Sequence, residues 1–487
     1  MAVIAALSGC SAPAPEAPAA ADPFDLTAPI EPSWTAEVDL VGYPIYLDGY
    51  VASYVAATDG ALHVVVWDAA TGTEEWRNIA GLGAVSAESS ITLAGLESGG
   101  KSFVTYLSPS TNPDDPEGWS DLMISEIGTA TSTVGLDDEI WANSVPSVCA
   151  DGKAVCFRGY SKETADGDSA WFRSAPNSGT IVADTTVAVP DGARLIGTNV
   201  FSTNDRSEGA IEQLGYSAGG VTVWQVPYAD VFGEGYTSDG GWNWSIFESD
   251  DVIVGSGYFV DQDRVDGGEF VHDYTKRAVV GLNPATGDVL WRLAGAATCA
   301  GSPNEYDLVD GLVPLCRTNA GTETGAFGAD GTTIDRSRAD YDMDVIGVDP
   351  LSGDIGWTYP VGDAGLNETQ TAALSFRSFS PTRPFDISGT VRLVDMLRGD
   401  ARDVPEDAIL PCNEVRDAFS APKSGAENDS VVEYDAGNDA VPCTSDLIAL
   451  DGTAYSAAAA RMAGVETSKN TFVVGGATGL SSYTLPD

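Results

Sequence analysis

Histidine and basic residues are scarce in this chain. Its 487 residues include two His, 24 Lys and Arg together, and 72 Asp and Glu, which gives a formal net charge of -48. Two histidines are too few for a metal site built from three histidine ligands. A surface this acidic repels the phosphates of nucleic acids and of anionic lipid headgroups, so we expect neither as a partner.

The chain also lacks any C-x-x-C pair among its seven cysteines. This absence argues against zinc knuckles, thioredoxin-like redox sites and the attachment of c-type haem. Six cysteines form an even set, which is suited to disulfides in an oxidising compartment. The simplest pairing joins neighbours in sequence, Cys149 with Cys156, Cys299 with Cys316, and Cys412 with Cys443. Other connectivities and free buried thiols are the alternatives.

The seventh cysteine lies close to the N-terminus. Leu7-Ser8-Gly9-Cys10 resembles the lipobox of bacterial lipoproteins, whose cysteine becomes the acylated first residue. The apolar stretch before it is short and has no basic n-region, so residues 1–10 are interpreted as a truncated signal. Residues 11–32 are rich in Pro and Ala, which is typical of an extended tether without a core. We therefore expect an extracytoplasmic protein, lipid-anchored at Cys10 to the outer face of the cell membrane.

Three segments share one sequence pattern, residues 64–76, 279–291 and 345–357. Each begins with an apolar, β-rich run, which predicts a buried strand. Asp or Asn, two further residues, Thr or Ser, and Gly follow, a combination that hydrogen-bonds turn amides and permits a positive φ. A Trp four residues after the Gly then begins the return strand and offers a large face to a neighbouring sheet.

This pattern resembles the repeat of pyrroloquinoline-quinone-type (PQQ-type) β-propellers, whose Trp docks between adjacent blades. Weaker copies lie near residues 121–128, 175–179, 221–227 and 446–452. The resemblance implies docking roles for Trp76, Trp291 and Trp357.

The last copy, residues 471–487, lacks a final strand. Residues 33–38 are a candidate for that strand, with Trp34 in the docking position. A strand from one end that completes the sheet of the other end would close a ring. The resemblance thus implies an all-β fold over residues 33–487, an eight-bladed propeller of four-stranded antiparallel blades closed by the N-terminal strand. Seven blades are the alternative.

Long insertions interrupt the repeats at residues 108–120, 258–275, 317–342 and about 395–444. The last contains Cys412 and Cys443, so a disulfide is expected to pin it. Loops of this length on a rigid scaffold often carry recognition, and decoration without function is the alternative.

The innermost strands of a propeller line a central funnel. Candidate residues for binding a small polar ligand there are Asn143, Asn199, Trp242, Trp244, Asn304 and Arg377. Asn and aromatic side chains hydrogen-bond and stack such ligands. The alternative is that these Asn side chains satisfy backbone groups at strand starts. No metal ligands are assigned and no cofactor is predicted.

The leading hypothesis is a non-catalytic, monomeric binding or scaffold module for a protein or small polar ligand, and not an enzyme. The chain is similar in this respect to the lipoprotein propeller of outer-membrane protein assembly. One alternative is a quinoprotein dehydrogenase that uses pyrroloquinoline quinone and calcium, although the vicinal Cys pair of those enzymes is absent here. A sugar-binding or sensor propeller is the other.

Overall fold

The computed structural model describes residues 25–485 with gaps, the longest being 84–92, 111–117, 163–169, 184–189, 204–211, 238–244, 260–267, 299–310, 363–381 and 412–447. The described chain is nearly all β, and almost every strand pairs antiparallel with its neighbours. No described helix is long and apolar enough to cross a membrane.

The described strands form seven sheets and one two-stranded pair. Strand β1 (Trp34–Glu37) belongs to the last sheet. Sheet 1 contains β2 (Asp39–Leu40), β3 (Ile45–Leu47), β4 (Tyr50–Ala56), β5 (Leu62–Asp68) and β6 (Glu74–Ala80). Sheet 2 contains β7 (Ala94–Ser98), β8 (Lys101–Pro109), β9 (Trp119–Glu126), β10 (Thr131–Val134), β11 (Ile140–Ala142), β12 (Ser147–Val148), β13 (Val155–Ser161), β14 (Ala170–Ser174) and β15 (Val182–Ala183).

Sheet 3 contains β16 (Ala193–Leu195), β17 (Val200–Thr203), β18 (Gln213–Ala218) and β19 (Val221–Pro227), and a short helix, α1 (Tyr228–Phe232), follows it. Sheet 4 contains β20 (Tyr236–Thr237), β21 (Ser245–Glu248), β22 (Ile253–Phe259), β24 (Ala278–Leu282) and β25 (Val289–Ala294). Sheet 5 contains β23 (Glu269–Asp273), β26 (Ala296–Ala297), β27 (Val313–Phe327), β28 (Thr333–Val348) and β29 (Ile355–Gly362). A 3-10 helix at Tyr274–Lys276 lies between β23 and β24.

Sheet 6 contains β30 (Thr382–Ile387), β31 (Thr390–Asp395) and β32 (Ala401–Asp403). The pair β33 (Leu410–Pro411) and β34 (Ile448–Ala449) is parallel. A second helix, called the seam helix here, spans Ala457–Ala463 and begins at the capping residue Ser456. Sheet 7 contains β35 (Val465–Ser468), β36 (Thr471–Gly476), β37 (Gly479–Thr484) and β1.

The N-terminal strand completes the sheet formed by the C-terminal strands. β1 pairs antiparallel with β37, and Trp34 lies opposite Ser482. Four strands in the order β1-β37-β36-β35 result, with β1 at the edge. The two ends of the chain therefore share one sheet.

Each sheet has two ends with different connections. The hairpin turns that join the last two strands, such as residues 68–73 between β5 and β6, lie at what we call the turn end. Antiparallel alternation places the connection between the second and third strands at the opposite, loop end. Three long connections leave from loop ends, namely β8 to β9, β22 to β24, and β32 to β35, and at the loop end of sheet 5 the long strands β27 and β28 themselves extend outward as a hairpin.

The seam helix occupies the space between sheets 6 and 7. One set of its alanines lies in a cluster with Phe472 and Val474 of β36. Ala458 and Met462 lie in another cluster with Leu393 of β31. Small Ala side chains let the helix approach both sheets closely.

Leu26 corrects the predicted tether. Its side chain is only 3% exposed and packs in the cluster of Leu393, Ala458 and Met462. The amide of Ile30 donates to the carbonyl of Tyr455 at 2.8 Å. Residues 25–32 are therefore held on the fold and do not form a free tether, because Leu26 buries an apolar side chain among the Pro and Ala residues.

The start of the predicted insertion at about 395–444 is also corrected. Residues 395–400 form a hairpin turn in which the Gly399 amide donates to the Asp395 carbonyl at 2.7 Å. This turn joins β31 to β32, so it is part of a sheet. The weak repeat copy expected at 446–452 lies mostly outside the described residues, and its described part, β34, pairs in parallel with β33.

Candidate functional site

Tryptophans on the outermost strands connect successive sheets. Each indole Nε1 donates to a carbonyl in the turn of the next sheet. The pairs are Trp34 to Ala69 at 3.0 Å, Trp76 to Ile127 at 2.6 Å, Trp224 to Pro284 at 2.7 Å and Trp291 to Pro350 at 2.8 Å. Buried indole N–H groups need an acceptor, and an exposed turn carbonyl supplies it.

Turn glycines provide the surface on which these indoles rest. A β-carbon built on Gly72 would lie 2.6 Å from the ring of Trp34, and one on Gly353 would lie 2.6 Å from the ring of Trp291. Both glycines also have a positive φ, +70° and +74°. The repeat thus requires Gly at this position for two reasons: the turn needs a positive φ, and the indole leaves no room for a β-carbon.

Each turn is held by the Asp or Asn that begins it. Asp68 accepts hydrogen bonds at Oδ1 from the amide and the hydroxyl of Thr71, both at 2.8 Å. The hydrogen bond from the Thr71 hydroxyl, followed by that from its amide, lowers the pKa of Asp68. Asp349 accepts from the amides of Leu351 and Ser352 in the same way.

Two elements of this system were missed by sequence reasoning. The sequence pattern does not identify Trp224 as a docking residue, because Gly219-Gly220 stands before β19 in place of the Asp-x-x-Thr-Gly turn. It assigns Gly399 to an insertion, because the turn of Gly399 has Arg398 in place of Thr or Ser. In the structure a β-carbon on Gly399 would lie 2.6 Å from the ring of Trp357. An apolar strand followed by Asp and, four residues later, Gly was the available signal.

The indole contacts also fix which ends of the sheets lie together. They connect sheets 3, 4, 5 and 6 in succession through their turn ends. The loop ends of sheets 4, 5 and 6 therefore share the opposite side of the molecule. The insertions expected at 258–275 and 317–342 both leave from this side.

These two insertions meet in one structure. β23, from the connection within sheet 4, pairs antiparallel with β27 of sheet 5, with Glu269 opposite Ala326 and Asp273 opposite Thr322. We call β23, residues 322–327 of β27 and residues 333–339 of β28 the arm. The arm is a three-stranded extension of sheet 5 at its loop end, and it is the candidate functional site.

A buried carboxylate joins the three strands at the base of the arm. Glu323 is 5% exposed, and its Oε2 accepts from Arg338 Nε at 2.6 Å and from the Tyr274 hydroxyl at 2.5 Å. Arg338 is on β28, Glu323 on β27, and Tyr274 follows β23. Since a buried charge is costly unless it is paired, this arrangement depends on all three partners.

Aromatic rings and a second arginine surround Tyr274. The rings of His272 and Tyr341 meet its ring edge-on, with centroids 4.7 and 5.4 Å away. The Arg277 guanidinium lies 4.6 Å from the centroid of the Tyr274 ring. Burial, followed by the hydrogen bond with Glu323, raises the pKa of Tyr274 to about 12, against the opposing charge of Arg338. Tyr274 therefore stays protonated at neutral pH and acts as a donor.

A second ion pair lies nearer the sheet. Arg317 on β27 bonds Asp344 Oδ2 on β28 at 2.7 Å, and Asn319 Nδ2 donates to the same oxygen at 3.0 Å. Asp344 is buried. The two carboxylates, Glu323 and Asp344, thus each bind an arginine across the β27/β28 hairpin and hold it rigid where it leaves the sheet.

The predicted funnel residues are only partly described. Asn143 is exposed, and its amide donates to the Arg158 carbonyl at 2.9 Å. The amide of Asn199 donates to the Glu248 carboxylate at 3.1 Å, which connects sheet 3 to sheet 4. Both contacts are made by the main-chain amide of the Asn, so neither decides between the two interpretations, and ligand binding by Asn143 and Asn199 stays a prediction. Trp242, Trp244, Asn304 and Arg377 lie outside the described residues.

Two of the expected disulfide positions are described as a pair. Cys149 and Cys156 form a disulfide with their Cα atoms 5.0 Å apart. Cys316 is disulfide-bonded as well. Cys10, Cys299, Cys412 and Cys443 lie outside the described residues.

Calcium, which the quinoprotein resemblance implies, finds no ligand set in the described part of the chain. No group of three His, Cys, Asp or Glu side chains is placed there to hold a metal ion. The acidic residues at the base of the arm are engaged by arginines.

Comparison with known proteins finds similarity in solved structures. No family model and no curated protein matches the chain. A europium-containing methanol dehydrogenase is 12% identical, with 77% of this chain and 80% of that chain covered and a TM-score of 0.36. The β-propeller domain of the Trilobed protease from Pyrococcus furiosus is 9% identical, with 76% and 96% covered and a TM-score of 0.34. A quinohemoprotein alcohol dehydrogenase from Comamonas testosteroni is 10% identical, with 78% and 69% covered and a TM-score of 0.32.

These comparisons correct one expectation. From the sequence, the chain is expected not to be an enzyme. Two of the three structures named above are alcohol or methanol dehydrogenases, so this expectation is contradicted and is not retained. Fold does not determine function, and a scaffold of this kind serves enzymes as well as other proteins.

Proposed function

We propose that the chain is an eight-bladed β-propeller of PQQ-type repeats whose loop end binds a protein or a small polar ligand. Sheet 2 is continuous through the pairing of β9 with β11 and contains two sets of strands. Counted as two blades, it brings the seven sheets to eight. The pairing of β1 with β37 supports ring closure by the N-terminal strand.

The arm carries this proposal. Turn ends are used for contacts between sheets, whereas the long connections leave from loop ends. The long connection of sheet 4 and the extended β27/β28 hairpin of sheet 5 combine into one structure with the Glu323–Arg338 ion pair at its base. Long loops held rigidly on a scaffold are where recognition is usually found.

Site-specific photo-cross-linking tests the proposal. A photoreactive amino acid at Val271, on the arm, samples the loop end, and one at Leu351 samples the turn end. The two side chains are matched in exposure, at 55% and 56%. We expect a specific cross-linked partner in intact cells from position 271 and none from position 351. Cross-links from position 351 alone would overturn the assignment of the binding face.

A small ligand is tested by titration. Pyrroloquinoline quinone with calcium, and separately a panel of sugars, are added while Trp fluorescence is followed, and dye reduction with alcohols is then measured. Sugar binding without dye reduction fits a ligand-binding propeller. Saturable quinone binding with dye reduction would replace the proposal by a quinoprotein dehydrogenase.

We also propose that Cys10 anchors a monomeric protein to the outer face of the cell membrane. The Cys149–Cys156 disulfide and the bonded Cys316 support an oxidising compartment. Incorporation of labelled palmitate into the parent, and its loss in Cys10→Ala, tests the anchor. Labelling that persists in Cys10→Ala would contradict it.

A further inference from the structure

One face of sheet 2 carries a band of aromatic side chains. Trp141 on β11 lies opposite Trp119 on β9 and opposite Tyr160 on β13. Trp171 on β14 lies opposite Arg158, which is two residues from Tyr160 and therefore shares its face. We call Trp119, Trp141, Tyr160 and Trp171 the aromatic band. It crosses four neighbouring strands.

The two faces of these strands differ in exposure. The face opposite the aromatic band is buried, and its side chains form one cluster that includes Ile140, Ala142, Phe157 and Phe172. The four residues of the band are half-buried, and Asn143 and Arg158 beside them are exposed. Aromatic surface thus reaches solvent on this face, where a ligand can stack on it.

Two tryptophans of the band form a corner. The rings of Trp119 and Trp141 meet edge to face, with centroids 6.0 Å apart and planes at 74°. The Trp141 ring rests against Gly118, where an added β-carbon would lie 2.8 Å from it. Lys162 Nζ lies 5.7 Å from the centroid of the Trp119 ring and forms an ion pair with Glu139. Rings held by such contacts lose little conformational entropy when a ligand binds.

Hydrogen-bonding side chains lie next to the rings. Asn143 directly follows β11, and its main-chain amide donates to the Arg158 carbonyl at 2.9 Å, which places both residues beside the aromatic band. The carboxamide of Asn offers donors and an acceptor, and the guanidinium of Arg offers donors. Aromatic surface with a few hydrogen-bonding groups is typical of a site for a small polar ligand.

We propose that the aromatic band binds a neutral oligosaccharide. This inference rests on the proposed binding function of the loop end and specifies a class of ligand, since Trp119 begins β9 at the loop end of sheet 2. The C–H face of a sugar ring would stack on the indoles, and sugar hydroxyls would bond to Asn143 and Arg158.

Charge and size favour this class of ligand. The net charge of -48 repels polyanions, so a neutral chain is favoured over an acidic one. The charge of Lys162 is compensated by Glu139. Neighbouring strands lie about 4.8 Å apart, so Trp119 and Tyr160, two strands apart, are separated by about 10 Å. That separation exceeds one sugar ring, which favours a chain of sugars over a monosaccharide.

Titration of the folded full chain with sugars tests the inference. The neutral probes are cellohexaose, xylohexaose and mannohexaose, and the comparison ligands are glucose and hexagalacturonate. Isothermal titration calorimetry measures binding, and Trp emission is followed in parallel. We expect saturable binding of at least one neutral hexasaccharide, with glucose and hexagalacturonate at least about tenfold weaker, because the first spans fewer rings and the second is repelled.

Two substitutions locate the binding on the aromatic band. Trp141→Ala should weaken binding of the neutral hexasaccharide about tenfold, since it removes a stacking ring. Asn143→Ala, at an exposed position, should weaken it about fivefold without a change in urea unfolding, and so keeps the test valid if Trp141→Ala does not fold. Leu290→Ala is the control, because it removes a 46% exposed apolar side chain from β25 of sheet 4. It should leave binding unchanged.

Three results would overturn a sugar site on the aromatic band. They are no binding of any neutral hexasaccharide up to about 10 mM, preferred binding of hexagalacturonate, and unchanged binding in both Trp141→Ala and Asn143→Ala. A cross-link from position 271 that accompanies any of these results retains the loop end as the binding face, so only the sugar site fails. Loss of both signals removes the proposed function as well.

Discussion

The indole of Trp357 rests on Gly399. A β-carbon at that glycine would lie 2.6 Å from the ring, and the φ of the glycine is +72°. Trp357 belongs to β29 of sheet 5, and Gly399 to the turn of sheet 6. One contact between two residues thus joins two sheets, in the same manner as Trp34 with Gly72.

Gly399→Ala is expected to destabilise the protein by about 2–5 kcal/mol. The positive φ costs about 1–2 kcal/mol, and overpacking against the indole costs about 1–3 kcal/mol more. Gly219→Ala is the control, because its φ is +61° but nothing lies within 4 Å of its added β-carbon. Urea unfolding measures both variants. Equal losses would show that the indole contact contributes nothing.

Trp224→Phe separates the hydrogen bond of a docked indole from its packing. The variant loses the bond to the Pro284 carbonyl and should cost about 1 kcal/mol. Trp224→Ala also loses the buried ring and should cost about 3–5 kcal/mol. Both are measured by chemical denaturation. If Trp224→Phe were as stable as the parent, the loss of stability in Trp224→Ala would be due to packing alone.

Glu323→Ala should destabilise the protein by about 3–5 kcal/mol, because the partly buried Arg338 is left without its carboxylate. Glu74→Ala is the control. It breaks the exposed ion pair with Arg77 and should cost at most about 1 kcal/mol. Thermal unfolding followed by circular dichroism compares the two. Similar losses would mean that the base of the arm adds no stability.

The raised pKa of Tyr274 predicts that the folded protein loses stability at alkaline pH. Its pKa is raised to about 12 in the folded protein, mainly by burial, whereas a tyrosine in the unfolded chain titrates near pH 10. The folded state therefore retains a proton that the unfolded state releases. The stability associated with Tyr274 is complete below about pH 10 and is lost as the pH rises towards about 12.

The difference between the parent and Tyr274→Phe isolates this contribution. Urea unfolding of both proteins at several pH values from about 8 to about 12 should show a steeper decline in the parent. Tyrosinate absorbance gives the titration directly. Parallel declines would mean that the pKa of Tyr274 is the same in both states.

Leu26→Ala should destabilise the protein by about 2–4 kcal/mol, because it creates a cavity beside the seam helix. Ala28→Gly, at an exposed position in the same segment, should cost much less. Differential scanning calorimetry measures both. If Leu26→Ala matched Ala28→Gly, the segment before β1 would be a tether after all.

The sequence by itself determined the turns and their indoles. Each copy of the pattern, with its strand, its Asp or Asn, its Gly and its Trp, spans about a dozen residues. It can therefore be recognised from the sequence without knowledge of the fold. It led directly to the residues that form the contacts of Trp76, Trp291 and Trp34. The pattern failed at Trp224, because the turn before it lacks Asp-x-x-Thr-Gly, although its acceptor Pro284 lies in a regular turn. It failed at Gly399, because the turn of this glycine has Arg398 in place of Thr or Ser, although Trp357 stands in a regular copy.

The Cys149–Cys156 disulfide was also accessible from sequence, because the two residues are seven positions apart and flank an Asp-Gly pair. The burial of Leu26 was not. Its partners, Leu393 and Met462, lie hundreds of residues away, and the local composition around Leu26 is that of a linker.

Only the tertiary structure decided that the insertions at 258–275 and 317–342 form one arm. Each looks locally like a polar loop, and the pairing of β23 with β27 joins residues about 50 positions apart. Glu323 and Arg338 come from two strands, Tyr274 comes from the 3-10 helix after a third, and together they match no short motif. The charges of Glu323 and Arg338 are stable in the interior only when the folded strands bring them together. No single segment of the sequence therefore identifies the site.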